Sequence, residues 1–313
     1  MAFSKHEADY REALLYKVAW LYYIDELTQK EIAEQLSLTR IKVIKLLEEA
    51  RKRKVVRFHF STYFRHKNHL EQALMTKYGL RDVLVVPWNA KENLAENLGQ
   101  ATAMYLNDFL PDGASIGIGY GVTIGSILKN LAKISNKKYS IVSMTGGVMP
   151  YLRQVGTGLF ELNPFLIPAP LIVSKKEIAE AFIYEKAVRD VMKQAQDTKV
   201  VVTGIGGMSD NSTVLSEGIL TPEEFEGLKS RGAVGDVLMH FIDEKGNLVD
   251  DDIENRIISM NLDDVKKKDN IIAAAGGISK RKAIHTALTI GLVNVLITDE
   301  DTAEALLEGV DYE

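Results

Sequence analysis

Four apolar runs in this sequence end in glycine: Gly119 with Gly121, Gly146 with Gly147, Gly204 with Gly206 and Gly207, and Gly276 with Gly277. Glycine after a strand lets backbone N–H groups close on an anion, and a helix that starts there adds the positive end of its dipole. Gly119-Tyr120-Gly121-Val122-Thr123, opening an apolar helix pattern, is the best phosphate cradle, with the Thr123 hydroxyl as an added donor. Lys280, just past Gly276-Gly277, is a cation for the same anion, and Asp236, after Gly232-Ala233-Val234-Gly235, is an acceptor for sugar hydroxyls. Each Gly pair alone is a weak signal. Gly204–Gly207 reads equally as a tight turn, and Asp236 competes as a helix cap or the partner of a core Arg. The spacing matches neither GxxxxGK[ST] nor the dinucleotide pattern G-x-G-x-x-G.

A second constellation lies near the start, in Leu27–Phe60. Thr28 with Glu31 three residues on makes a capping box, and Ile32, Ala33 and Leu36 give a short apolar face. Ser37-Leu38 is the turn, with Ser37 where a positive φ is expected of a non-Gly residue. Thr39 caps a second helix whose inward face is Val43, Leu46, Leu47 and Ala50. Its outward face carries Arg40, Ile41, Ile44, Lys45 and Lys52, with Lys42 on the flank. This is the pattern of a helix-turn-helix in a DNA major groove: cations for phosphates, β-branched side chains for thymine methyl groups. With Thr28 at the start of the first helix, the candidate DNA-binding set is Thr28, Thr39, Arg40, Ile41, Lys42, Ile44 and Lys45. An amphipathic helical pair that binds no DNA is the competing reading. Arg51-Lys52-Arg53-Lys54, which also suits a helix C-terminus, and a wing-like strand over Val55–Phe60 follow.

The elements that position these groups divide by charge. Residues 1–60 hold 12 Lys and Arg against 9 Asp and Glu, net +3, and the remainder is net −8. A basic head on an acidic body confines nucleic-acid contact to the head. The 313 residues suggest two domains, 1–60 and 61–313, with the boundary at Ser61–Asn68. A first helix is expected over Glu7–Asp25, buried through Ala13, Leu14, Val18, Ala19, Leu21 and Tyr22, and Tyr23 is read as core too. After a helix at His69–Tyr78, β-branched runs alternate with helical patterns. Strands are expected at Asp82–Pro87, Ala114–Ile118, Ser140–Met144, Lys199–Thr203, Asp236–Ile242, Asn270–Ala275 and Val293–Ile297. Helices are expected at Ala90–Leu110, Thr123–Ala132, Ala179–Gln194, Lys280–Thr289 and Thr302–Leu307. The fold class is therefore α/β: a winged-type helix-turn-helix domain, then a Rossmann-like, mostly parallel sheet covered on both faces. Pro168-Ala169-Pro170 reads as a rigid loop bordering the pocket.

No cysteine is present, which excludes disulfides, thiolate metal sites and cysteine nucleophiles and suits a reducing cytosol. No apolar run reaches a membrane span, and the N-terminus lacks a signal-peptide core. The six histidines show no metal spacing. No cofactor, metal or catalytic residue is expected.

VAWLYYIDELTQKEIAEQLSLTRIKVIKLLEEARKR, IGIGYGVTIGSIL, MTGGV, IPAPL, VTGIGGM, GAVGDVL, AAAGGISKRKAI and VNVLITDEDTA together resemble the SorC family of bacterial transcriptional regulators. Within it the likeness is to the branch that senses a phosphorylated quorum-sensing autoinducer. The resemblance covers about residues 12–308. It implies an N-terminal helix-turn-helix and an effector domain similar to glucosamine-6-phosphate deaminases and ribose-phosphate isomerases. It also implies double-stranded operator DNA and a phosphorylated sugar as partners, in dimers or tetramers. Carried over by position, Thr39, Arg40, Lys42 and Lys45 contact DNA. Tyr120, Val122 and Thr123 line the phosphate loop, with Gly146, Gly147, Asp236 and Lys280 around the effector, and Gly119 and Gly121 complete the cradle. The family's deoxyribonucleoside-operon members carry a Schiff-base lysine where this chain has Thr145, so covalent capture there is excluded. The expected function is a cytoplasmic, non-enzymatic, effector-controlled regulator, a repressor of a carbohydrate operon. The alternatives are a sugar-phosphate isomerase or deaminase with an accessory head, and a sugar-phosphate binder whose head contacts protein.

Overall fold

The computed structural model describes residues 5–56, 62–88, 92–147 and 155–308. Its contacts divide the chain into two units, Met1–Arg65 and His66–Glu313. In the first, α1 (Lys5–Tyr23), α2 (Gln29–Gln35) and α3 (Arg40–Lys52) enclose Leu15, Val18, Ile32, Val43, Leu46, Leu47 and Ala50. The Thr28 capping box forms: Thr28 Oγ1 accepts from Glu31 N–H at 3.3 Å, and the Glu31 carboxylate accepts from the Thr28 hydroxyl at 2.7 Å and N–H at 2.8 Å. These bonds hold the Glu31 pKa below the ordinary carboxylate value. Thr39 caps α3 by accepting from Lys42 N–H at 3.2 Å, and Ser37 adopts φ +54°.

The α1 stripe differs from expectation. Ala13 is exposed and Leu14 half-buried, while Leu15 is 1% exposed. Leu14 and Leu15 stand about 100° apart on a helix, and only packing against α3 selects between them. Tyr22 and Tyr23 pack at the edge of this core. Most of the expected wing, 57–60, lies outside the described residues. Val55 and Val56 pack on the head core instead of pairing as a strand.

Helix α4 (Thr62–Tyr78), most of which belongs to the second unit, begins seven residues before the expected His69. Thr62–Asn68 contains no Gly or Pro to break a helix, and at Arg65–Asn68 its polarity marks the exposed side of a helix rather than a linker. Seven parallel strands follow: β1 (Asp82–Val86), β2 (Ser115–Ile118), β3 (Ser140–Ser143), β4 (Pro164–Phe165), β5 (Val200–Thr203) and, after three short strands, β9 (Asn270–Ala274) and β10 (Val295–Asp299). Their order is β1-β10-β9-β5-β2-β3-β4. Strand side chains alternate between two cores: Val200, Val202, Ile272 and Ala274 enter one, Val201, Ile271 and Ala273 the other. That period of two explains the continuous apolar strands. At the edge strand, Glu71 of α4 accepts Val85 N–H at 2.9 Å, satisfying a donor that the sheet leaves open.

The described α-helices of this unit are, after α4, α5 (Leu94–Phe109), α6 (Val122–Ile134), α7 (Lys176–Tyr184), α8 (Lys186–Asp197), α9 (Thr213–Ser216), α10 (Pro222–Ser230), α11 (Asp251–Glu254), α12 (Leu262–Val265), α13 (Arg281–Thr289) and α14 (Glu300–Glu308). The single helix expected over Ala179–Gln194 is two, parted at Glu185, whose ψ of 134° is extended. Neither Gly nor Pro signals the break. Helix α10, with its own Thr221–Glu224 capping box, went unanticipated. The expected strand Asp236–Ile242 is a hairpin: β6 (Gly206–Gly207), β7 (Gly235–Val237) and β8 (His240–Ile242) form a separate antiparallel sheet. Leu238 and Met239 turn it with φ of +55° and +73°, values that a hairpin usually assigns to Asn or Gly.

Leu46 is 2% exposed in the head core. Leu46→Ala should cost roughly 2–5 kcal/mol there. Urea unfolding followed by amide signals of residues 10–50 checks this, and a loss under about 1 kcal/mol would contradict the packing described.

Candidate functional site

From β2 the chain proceeds to β3 and β4 on one side, and from β5 to β9 and β10 on the other. Ligands of open α/β sheets bind outside the carboxyl ends of the strands at such a reversal. A cavity of about 140 Å³ lies there. After β2 come Tyr120, Gly121, Val122 and Thr123, and after β5 come Gly204–Gly207, all lining it. Gly121 is the N-cap of α6 at φ +132°, and no side chain caps this helix. Gly125 N–H to Gly121 O is the first intrahelical bond, so the Val122, Thr123 and Ile124 amides are the unmatched donors of the first turn.

The small sheet delivers the carboxylate. Gly206 pairs with Asp236, and a Cβ at Gly206 would lie 1.8 Å from Asp236 Oδ1. Glycine is required there by close approach. Asp236 Oδ2 accepts Met239 N–H at 3.2 Å across the hairpin turn, and Ser259 Oγ donates to Leu238 O at 3.0 Å from outside it. Backbone strain of this kind persists where surroundings fix it, commonly beside ligand sites. Lys280 enters from the end of the Ile278–Lys280 3₁₀ turn.

Of the expected effector residues, the cavity thus gathers Tyr120, Gly121, Val122, Thr123, Asp236 and Lys280. Gly119 lies just before them, with its N–H donated to Val202 O. Gly146 and Gly147 do not line the cavity. Their N–H groups go to Ile258 O and Ala169 O, and a Cβ at Gly146 would lie 2.1 Å from Pro170 O. These glycines serve the approach of the Pro168–Pro170 loop, which does not border the cavity either. Gly277 N–H is likewise occupied, by Asp299 and Thr302. Sequence reasoning missed Ser209, Asn211, Ser212 and Thr213, which also line the cavity. The polar run SDNST was the available signal.

On the head, Thr39, Arg40, Ile41, Lys42 and Lys45 are exposed, Ile41 by 67%, and Ile44 is half-buried. Arg40 Nε reaches Gln29 Oε1 at 3.4 Å. The Thr28 hydroxyl is spent on its cap, which makes this residue a support for α2. Arg11 on α1 pairs with Glu49 on α3 at 2.8 Å, fixing the helix that presents the cations. Among the described residues no group of His, Asp and Glu could hold a metal, and no helix is long and apolar enough to cross a membrane.

A family described as "Putative sugar-binding domain" matches residues 62–308. The transcriptional regulator LsrR of Klebsiella pneumoniae subsp. pneumoniae is 35% identical over 300 residues, 95% of this chain and 93% of the relative. LsrR of Escherichia coli K12 is 34% identical over 295 residues, 93% of each. The full-length sorbitol operon regulator SorC from Klebsiella pneumoniae is similar in structure, with a TM-score of 0.70 and 25% identity, covering 94% of this chain and 98% of that one. A DeoR family transcriptional regulator from Listeria monocytogenes shares the fold, with a TM-score of 0.71 and 24% identity over 77% of this chain and 99% of that one.

Burial moves the two charged groups of the cavity in opposite directions. It raises the Asp236 pKa, against the Met239 N–H and Lys280, and it lowers the Lys280 pKa, against Asp236. A carboxyl whose folded pKa exceeds its unfolded value of about 3.9 stabilises the fold fully below that value, and the contribution is lost as pH rises through the folded pKa. Asp236→Asn removes this titration. Its stability relative to the unaltered chain should therefore climb from about pH 4 to neutrality, whatever the offset at one pH. Urea unfolding across that range checks it, and a flat or falling difference would contradict the raised Asp236 pKa.

Proposed function

The chain belongs to the SorC family of transcriptional regulators with a C-terminal sugar-binding domain, and from that premise we propose that it is a cytoplasmic repressor released or retained on operator DNA by a phosphorylated sugar. What supports the effector class is that the uncapped start of α6 and Lys280 line one cavity. A phosphate at the Val122 and Thr123 amides satisfies the orphan donors and the dipole together. Asp236 and the Ser209–Thr213 hydroxyls and amide then suit the hydroxyls of the sugar. Thr145, fully buried with its hydroxyl donated to Gly146 O at 3.1 Å, has no amine, so imine capture of a sugar at that position is excluded.

Arg40, Lys42 and Lys45 are proposed as phosphate and base-edge contacts, with Thr39, Ile41 and Ile44 beside them. Paired heads are needed to read two half-sites on one DNA face. The outer side of α1 supports pairing: Tyr10, Tyr16 and Trp20, with Ile24 just past its end, are each more than half exposed. The proposed regulator is therefore a homo-oligomer, a dimer or tetramer.

The deciding experiment is electrophoretic retardation of the DNA upstream of the chain's own gene, repeated with a panel of sugar phosphates. Retardation is expected, with one panel member changing affinity roughly 5–150-fold. No sequence-specific retardation at physiological salt would refute the proposal. Lys45→Ala should weaken binding on all sequences and lower the salt slope by about 1. An unchanged slope would move the DNA contact off this face of α3.

A further inference from the structure

The Lys280 end of the cavity is tied to α4 by a continuous series of hydrogen bonds. Gly277, which leads into the Ile278–Lys280 turn, donates its N–H to Asp299 Oδ2 at 3.0 Å and to Thr302 Oγ1 at 2.7 Å. Thr302 donates its own N–H to Asp299 Oδ1 at 2.9 Å and its hydroxyl to Oδ2 at 2.7 Å. Asp299 and Thr302 are 0% exposed, and a Cβ at Gly276 would lie 2.1 Å from Asp299 Oδ2, so this joint has no slack.

Asp299 and Thr302 stand at the start of α14, and the far end of that helix grips α4. Lys77 Nζ donates to Leu306 O at 2.7 Å and Leu307 O at 3.3 Å, and the Tyr78 hydroxyl donates to Leu306 O at 3.2 Å. Water can satisfy the last carbonyls of a helix. Here another helix does so with a charge, which fastens the two together. Helix α13, which begins directly after Lys280, reaches the same place, with His285 Nδ1 2.8 Å from the Tyr78 hydroxyl. One turn into α4, His66 Nε2 lies 2.8 Å from Glu304 Oε1 on α14.

We infer that the Ile278–Lys280 turn, α14 and α4 from His66 to Tyr78 move as one body, so that a shift of Lys280 on a bound anion reaches α4. The chain passes through this helix from its DNA-binding residues to its sugar-binding domain. Thr302, Lys77 and Tyr78 are positioning residues, none of which lines the cavity. The regulatory meaning of the link rests on the effector reading above, but the link itself does not.

Hydrogen exchange on the full-length protein without any ligand separates the two. Thr302→Val removes the hydroxyl and keeps the shape, while Thr302→Ser keeps the hydroxyl. Thr302→Val should speed exchange of the α4 amides 66–78 about fivefold or more. Amides of α10 should stay as they were, and Thr302→Ser should behave as the unaltered chain. Should Thr302→Val not fold, Tyr78→Phe reads the link from the other end, through faster exchange at 277–280. Unchanged α4 protection in Thr302→Val, an equal rise in α10, or unchanged 277–280 protection in Tyr78→Phe would each overturn the inference. A sugar phosphate that fails to alter DNA retardation would leave these outcomes untouched and would count against the effector reading alone.

Discussion

A helix start with no side-chain cap, opening into a recess that also holds a lysine, is an unmet electrostatic demand. The first-turn amides of α6 and the Lys280 ammonium both call for negative charge, and Asp236 is the carboxylate that the recess itself supplies. Burial opposes ionisation of Asp236 and of Lys280 alike. An anionic ligand that also carries hydroxyls meets both conditions: its phosphate supplies the charge, and its hydroxyls hydrogen-bond Asp236 in place of water.

The rest of the sugar-binding domain is arranged so that this recess exists. Reversal of strand order between β2 and β5 opens the crevice, and both strands end at its mouth. The antiparallel β6–β7–β8 sheet then closes one side, which works only because Gly206 has no side chain where Asp236 must sit. A turn of two buried residues with positive φ, Leu238 and Met239, holds the carboxylate in place. Local strain of about 1–3 kcal/mol per such residue is tolerated because Ser259 and the surrounding core leave the turn no alternative.

Much of this was legible in the residues. Continuous β-branched runs gave the parallel strands, since a strand buried on both faces has no polar side to display. The Thr28 capping box, the Thr39 cap and 3.6-residue spacing gave the starts of α2 and α3 and their inward faces. Tyr120, Gly121, Val122, Thr123, Asp236 and Lys280 converge as their positions at strand ends implied. What failed did so for physical reasons. Gly146 and Gly147 carry the same signature as a ligand loop, but a glycine needed for the approach of Pro170 O looks the same in sequence as one needed for an anion. The Asp236–Ile242 run alternates like a strand on either side of a turn whose residues, Leu and Met, are poor turn formers by composition. The Ser209–Thr213 contribution was hidden because a polar loop becomes part of a site only through the strand order that folds it over.

In the proposed complex the α6 amides receive the anionic end of the effector. Amide chemical shifts of Val122 and Thr123 in the full-length protein, titrated with D-ribose 5-phosphate and with inorganic phosphate, test this directly. Downfield movement of both amides with at least one of the two, lost in Lys280→Met, is the predicted result. Unmoved Val122 and Thr123 amides, with shifts appearing instead around Gly146 and Gly147, would contradict it.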